Sequence, residues 1–179
     1  MAKGFKSSAS LANALQRDLQ DEITRDFNDL VAATVSDLAS EEVSPVLTGF
    51  FASSWKASSS PIRPREYREN NSPWAGIKYS HGPNPRLLPG FKAIIEPRHT
   101  VRDTFRLNQT VFIGNTAKYA PYAVVSPKAR IINYLQGPDG LNAMIDTFMS
   151  DKKTDIRVGD RQKATNFNTK QINFTRYPT

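Results

Sequence analysis

The chain has 179 residues, with 24 Lys and Arg against 17 Asp and Glu for a formal charge of +7, two histidines and no cysteine. Its mass of 20.0 kDa and mean hydropathy of −0.51 describe a polar chain long enough for one core and short for two. The missing cysteines remove disulfides, thiolate zinc sites, Fe–S clusters and cysteine nucleophiles, and no apolar run approaches the ~20 residues of a membrane-spanning helix.

Lys3 and Lys6 are followed by no apolar run, so no secretory signal is expected. Charge is unevenly placed: net −3 over residues 1–60, +5 over 61–109, +1 over 110–150 and +4 over 151–179. A chain with an acidic front and two basic stretches has a field suited to a polyanion or an acidic partner surface.

Residues 10–42 contain neither Pro nor Gly, and apolar side chains fall at Leu11, Leu15, Leu19, Ile23, Phe27, Leu30, Val31, Val35 and Leu38. That spacing predicts one long amphipathic helix, capped by Ser8 or Ser10 and ended before Pro45. Steps of four drift about 40° at 100° per residue, so the stripe winds and can bury one end in its own domain and the other against a neighbour. Asp18, Asp21, Glu22, Asp26 and Asp29 read as a solvated helix face and not as a metal site.

Residues 50–60 suit a strand or a short helix leading into a strand, with Trp55 buried. Residues 61–90 hold six of the twelve prolines and are expected to form a long excursion without regular elements. Arg63, Arg65 and Arg68 with Tyr67, Trp74 and Tyr79 there would suit stacking and phosphate contact on a nucleic acid, or a protein interface. Residues 91–96 and 110–114 look like strands, with 98–108 a third candidate, giving an antiparallel sheet under the long helix. Residues 119–125 form a turn into a short element. A second helix is expected from about Gly140 to Met149, with Leu141, Met144, Ile145 and Phe148 on one face.

Residues 151–179 are basic and polar, with Ile172 and Phe174 alternating as in a short strand, and read as an arm that orders on a neighbouring subunit. The expected fold class is therefore α+β. A long N-terminal helix packs on a small antiparallel sheet in one domain over residues 1–150, followed by the arm.

No motif supports catalysis: His81 and His99 sit without a recognisable nucleophile or acid partner, and neither a GxxxxGK[ST] nor a GxGxxG sequence is present. No enzyme activity, cofactor or metal is expected.

Two stretches carry a resemblance. Pro45-Val46-Leu47-Thr48-Gly49 followed by Ser54-Trp55, after a long N-terminal helix, resembles a segment of the neck and tail-completion proteins of tailed phages, the head–tail joining family. Val111-Phe112-Ile113-Gly114-Asn115 followed by Lys118-Tyr119-Ala120-Pro121-Tyr122 is similar to that family's second signature, with Val124-Val125-Ser126-Pro127 standing where an acidic residue and a glycine usually follow. The resemblance runs in element order over residues 10–149. It implies a virion structural protein at the head–tail junction, assembled in the host cytoplasm as a homo-oligomeric ring, with six subunits favoured. Its partners would be connector or adaptor and tail-tube proteins, with transient non-specific contact to genomic DNA and no membrane. A tail terminator of the same virion class is the near alternative, and a basic nucleic-acid-binding accessory protein the distant one. Thr48, Gly49, Trp55, Asn115, Tyr119, Pro121 and Tyr122 are the candidate subunit and partner contacts. Arg63, Arg65, Arg68, Lys152 and Lys153 are the candidate contacts to DNA or to an acidic partner.

Overall fold

The computed structural model describes residues 8–96, 105–106, 108–126, 129–152, 155–160 and 170–175. Helix α1 runs Ser8–Ala39, so Ser10 lies inside its first turn and is not its cap. Only its second half meets the core: Ile23, Phe27, Leu30, Val31, Val35 and Leu38 are buried, whereas Leu11, Leu15 and Leu19 are exposed. Asn28 fixes the helix to a distant segment with a two-point clamp. Its Nδ2 donates to the Phe105 carbonyl at 2.9 Å, and the Phe105 N–H donates to its Oδ1 at 2.8 Å.

A short helix α2 (Phe50–Ser53) leads directly into strand β1 (Trp55–Ser58). Strand β2 (Thr110–Asn115) pairs antiparallel with β1, Trp55 facing Asn115 and Ser58 facing Phe112. Three helices follow, α3 (Ala120–Val124), α4 (Ile131–Gln136) and α5 (Leu141–Lys152). Strands β3 (Asp155–Asp160) and β4 (Lys170–Thr175) complete a four-stranded sheet of order β1-β2-β4-β3, all antiparallel. The α+β class and the helix-on-sheet layering follow, with α1 packed on β1, α2 and α5.

Three sequence expectations need correction. Residues 155–160 and 170–175, expected to order on a neighbouring subunit, add instead to the chain's own sheet, because β2 offers its free edge to β4. Residues 91–96 are extended but are no strand. The Ile94 N–H reaches the Thr48 carbonyl at 3.0 Å, while the Ile94 carbonyl is taken by side chains, so no ladder propagates. The 61–90 excursion is anchored in the core through Ile62, Trp74 and Ile77, all buried, and it includes two 3-10 turns. Helix α4 was not foreseen, and the third candidate strand, 98–108, lies mostly outside the described residues.

Candidate functional site

The two motifs, some sixty residues apart in sequence, meet around α2. Gly49 precedes that helix with φ +88°, a left-handed conformation open to glycine at little cost. A Cβ there would stand 1.9 Å from the Ile94 carbonyl oxygen, so the position also requires the missing side chain. Thr48 is buried beside it, its Oγ1 accepting a long 3.4 Å bond from the Phe50 N–H. The second motif grips the same helix: buried Asn115 donates from Nδ2 to the Phe51 carbonyl at 2.8 Å and accepts the Ala117 N–H at 3.0 Å. The Tyr119 ring completes the knot, its centroid 6.2 Å from both the Phe50 and the Phe51 rings.

Trp55, one residue beyond the α2 corner, is 3% exposed. Its indole Nε1 donates to Ser44 Oγ at 2.9 Å, and the Ser44 hydroxyl donates to the Leu38 carbonyl. One of the orphan acceptors at the α1 C-terminus is thereby satisfied and tied to the sheet. Thr48, Gly49, Trp55 and Asn115 are thus corrected from contact residues to interior ones, since their side chains or backbones are spent within this chain. They set the geometry of what faces out.

What faces out is the following turn and helix. Pro121 lies at the start of α3, pre-set for a helical first turn. Tyr122 is 79% exposed and Val125, three residues on, 65%. Tyr119 is split between the two roles: its ring packs on α2 while its edge is open. Its hydroxyl is pushed well above the ordinary tyrosine range, first by burial and next by Tyr79, with Arg68 opposing.

The cationic candidates divide. Arg63 and Arg65 are exposed. Arg68 is architectural: its Nη1 donates to the carbonyls of Trp74 and Ile77, each at 2.8 Å, and its guanidinium lies 5.0 Å from the Tyr79 ring centroid. It is corrected from a DNA contact to the clip of the excursion, since its Nη1 is engaged by those two carbonyls and its Nη2 by the Glu69 carboxylate at 3.3 Å. Lys152 is the last residue of α5, and Lys153 lies outside the described residues. Lys118, which sequence reasoning left out, sits 4.4 Å over the Tyr67 ring and donates to its hydroxyl. His81 is exposed with its ring 5.3 Å from that of Tyr79, and His99 lies outside the described residues.

Among the described residues no group of three His, Asp or Glu could hold a metal ion, and no helix is long and apolar enough to cross a membrane. No family model, curated protein or solved structure matches this chain.

Proposed function

We propose that the chain is a virion structural protein of a tailed phage, a ring-forming neck or tail-completion component that joins the head connector to the tail around the DNA channel. The observation that carries this reading is the half-used α1. A helix of 32 residues spends its second half on its own core and leaves Leu11, Leu15 and Leu19 uncovered on the first. A monomeric protein gains nothing by exposing such a stripe, whereas an assembling one buries it against a neighbour. The Thr48-Gly49 and Asn115 to Tyr122 motifs support the same reading by resemblance, and the knot they form holds Tyr122 rigidly outward. Tyrosine is an enriched interface anchor because it offers large area for little lost rotamer freedom.

The work of such a ring is geometric. It docks on a connector or tail ring, ends polymerisation and encloses the channel. Scattered cations such as Arg63 and Arg65 would attract DNA without gripping it, since dense phosphate contacts oppose sliding. Light scattering on the purified chain at low and physiological salt tests the proposal. The expected mass is about 120 kDa, six times the 20.0 kDa chain. Antibody labelling of purified virions should then mark the head–tail junction. A monomer that shifts DNA with steep salt dependence would replace this reading with the nucleic-acid one.

A further inference from the structure

We propose that the hairpin of residues 78–88 is a finger whose outer face, carrying Lys78 and Arg86, contacts the phosphate backbone of duplex DNA; this rests on the reading above only for the DNA that it meets. The hairpin lies inside the proline-rich excursion and is closed by its own backbone. Tyr79 bridges antiparallel to Leu87, the Ser80 N–H donates to the Arg86 carbonyl at 2.8 Å, and the Leu88 N–H donates to the Lys78 carbonyl at 3.1 Å. Ser80 Oγ adds a third tie, accepting the Arg86 N–H at 3.0 Å. That register gives the hairpin two faces, because neighbours in an extended ladder point to opposite sides. Leu87 packs on the core and Tyr79 lies against the Arg68 guanidinium, so their side is the inner one. Lys78 then falls opposite Leu88 and Ser80 opposite Arg86 on the outer side, where Lys78, Arg86 and Leu88 are all exposed.

Chemistry selects the occupant. Lys78 and Arg86 stand on one diagonal of the ladder, with Cβ atoms about 7–8 Å apart or somewhat less, a spacing over which two long cationic side chains reach one phosphate or two successive ones. From Asn70 to Ile95 the chain has Lys78, Arg86 and Lys92 and no carboxylate, a net +3 over residues that are all described. Glu69, on the adjoining turn, is held by Arg68 at 3.3 Å, and neither Lys78 nor Arg86 forms an ion pair among the described residues. The tip, His81 to Asn84, is exposed throughout, and Pro83 and Pro85 restrict it, so little ordering is left to be lost on contact. A protein partner would be met by aromatic or large apolar anchors. Leu88, 39% exposed, is the one large apolar side chain exposed on this hairpin, and the rest of its exposed surface is cationic, small and polar. Cations with small polar groups on a narrow projecting ribbon are what sequence-independent backbone contact uses.

The test is the salt dependence of binding to a short mixed-sequence duplex, read by fluorescence anisotropy on the full chain and on two double variants. Lys78→Gln with Arg86→Gln strips the finger. Arg17→Gln with Arg25→Gln removes the same charge from exposed positions of α1 and is the control. Each phosphate contact adds about 0.9 to the slope of log affinity against log salt, so the finger variant should lose about 1.8 per finger engaged. Between about 50 and 200 mM salt its affinity should therefore fall about 12-fold less than that of the unaltered chain, per finger. The control should keep the full slope, and circular dichroism and the light-scattering mass should be the same in all three. An unchanged slope in the finger variant, or an equal loss in both variants, would overturn the proposal. Displacement of the duplex by polyglutamate at equal charge concentration would overturn it in favour of an acidic protein partner. A ring-sized mass without duplex binding would overturn the finger and leave the assembly reading standing. A monomer that binds through the finger would do the reverse.

Discussion

Replacing Gly49 with alanine should unfasten the corner on which both motifs converge. At φ +88° an alanine pays about 1 kcal/mol or more in backbone strain before any contact is counted. Its methyl would lie 1.9 Å from the Ile94 oxygen and 2.4 Å from the Ile94 carbon, where real contacts do not fall below 3.0 Å, so this backbone must retreat. Four hydrogen bonds depend on its position: Ile94 N–H to Thr48 O at 3.0 Å, Trp74 Nε1 to Ile94 O at 2.7 Å, Ser53 Oγ to Ile94 O at 3.4 Å, and Glu96 N–H to Ser53 Oγ at 2.9 Å. Losing two or three of these at about 1 kcal/mol each brings the expected destabilisation to about 3–4 kcal/mol. That is a large part of the 5–15 kcal/mol typical of a domain (roughly). Urea unfolding followed by tryptophan fluorescence reads it directly, since Trp74 hangs on the displaced carbonyl and Trp55 lies just past the corner. Gly76→Ala is the control, because nothing lies within 4 Å of its added methyl. A Gly49→Ala midpoint indistinguishable from that of Gly76→Ala would refute the account of the corner.

Two further outcomes follow from buried polar groups. Asn115→Asp removes the donor to the Phe51 carbonyl and sets a carboxylate against it, so the variant should lose about 2–3 kcal/mol near neutral pH. The new carboxyl would have a folded pKa raised above its unfolded value. The loss should therefore shrink as pH falls through that folded value and the group regains a proton to donate, as read from urea midpoints between neutral pH and about pH 4. Tyr134 donates to Asp37 Oδ2 at 3.1 Å, and its hydroxyl is pushed well above the usual range, first by burial and then by the Asp37 charge. Its protonated state supports the fold fully below the unfolded tyrosine pKa of about 10, and that support is lost as pH rises beyond it. Tyr134→Phe should delete one late step from the alkaline tyrosinate absorbance titration and cost about 1 kcal/mol at neutral pH.

The long helix, β2 and the helix from Leu141 were legible because each rests on periodic apolar residues that local sequence records. The failures share a cause as well. Whether residues 91–96 ladder into a sheet depends on what accepts and donates at Ile94, and the partners, Thr48, Ser53 and Trp74, lie 20 to 46 positions away in sequence. Proline density marked 61–90 as an excursion, yet it hid two 3-10 turns and the anchoring pair Trp74 and Ile77, the first opening one of those turns and the second following it, a spacing of three that was the available signal. Arg68 looked like a surface cation because a sequence carries no hint that two buried carbonyls lie within its reach. The winding stripe of α1 was read correctly where it enters the chain's own core, from Ile23 onward. Four-residue steps place Leu11 to Leu19 progressively off the face that Ile23 onward presents to the core.

The same distinction separates two residues that the motifs made equivalent. Trp55 and Tyr122 are both aromatic, both in motif segments and both plausible interface anchors by type. Trp55→Ala removes a ring 3% exposed and strands the Ser44 hydroxyl, so it should cost about 3–5 kcal/mol of stability, and any loss of assembly would track the unfolded fraction. Tyr122 is 79% exposed and its truncation should move stability by no more than about 0.5 kcal/mol. If it anchors a contact worth about 2 kcal/mol, the same truncation should weaken subunit association about 30-fold. Sedimentation measured well below each variant's unfolding midpoint separates the cases: the Trp55 variant should assemble normally at low temperature, where its folded fraction recovers, and the Tyr122 variant should not. An association constant unchanged in Tyr122→Ala would remove the outward turn from the interface, leaving the α2 knot as a purely internal feature.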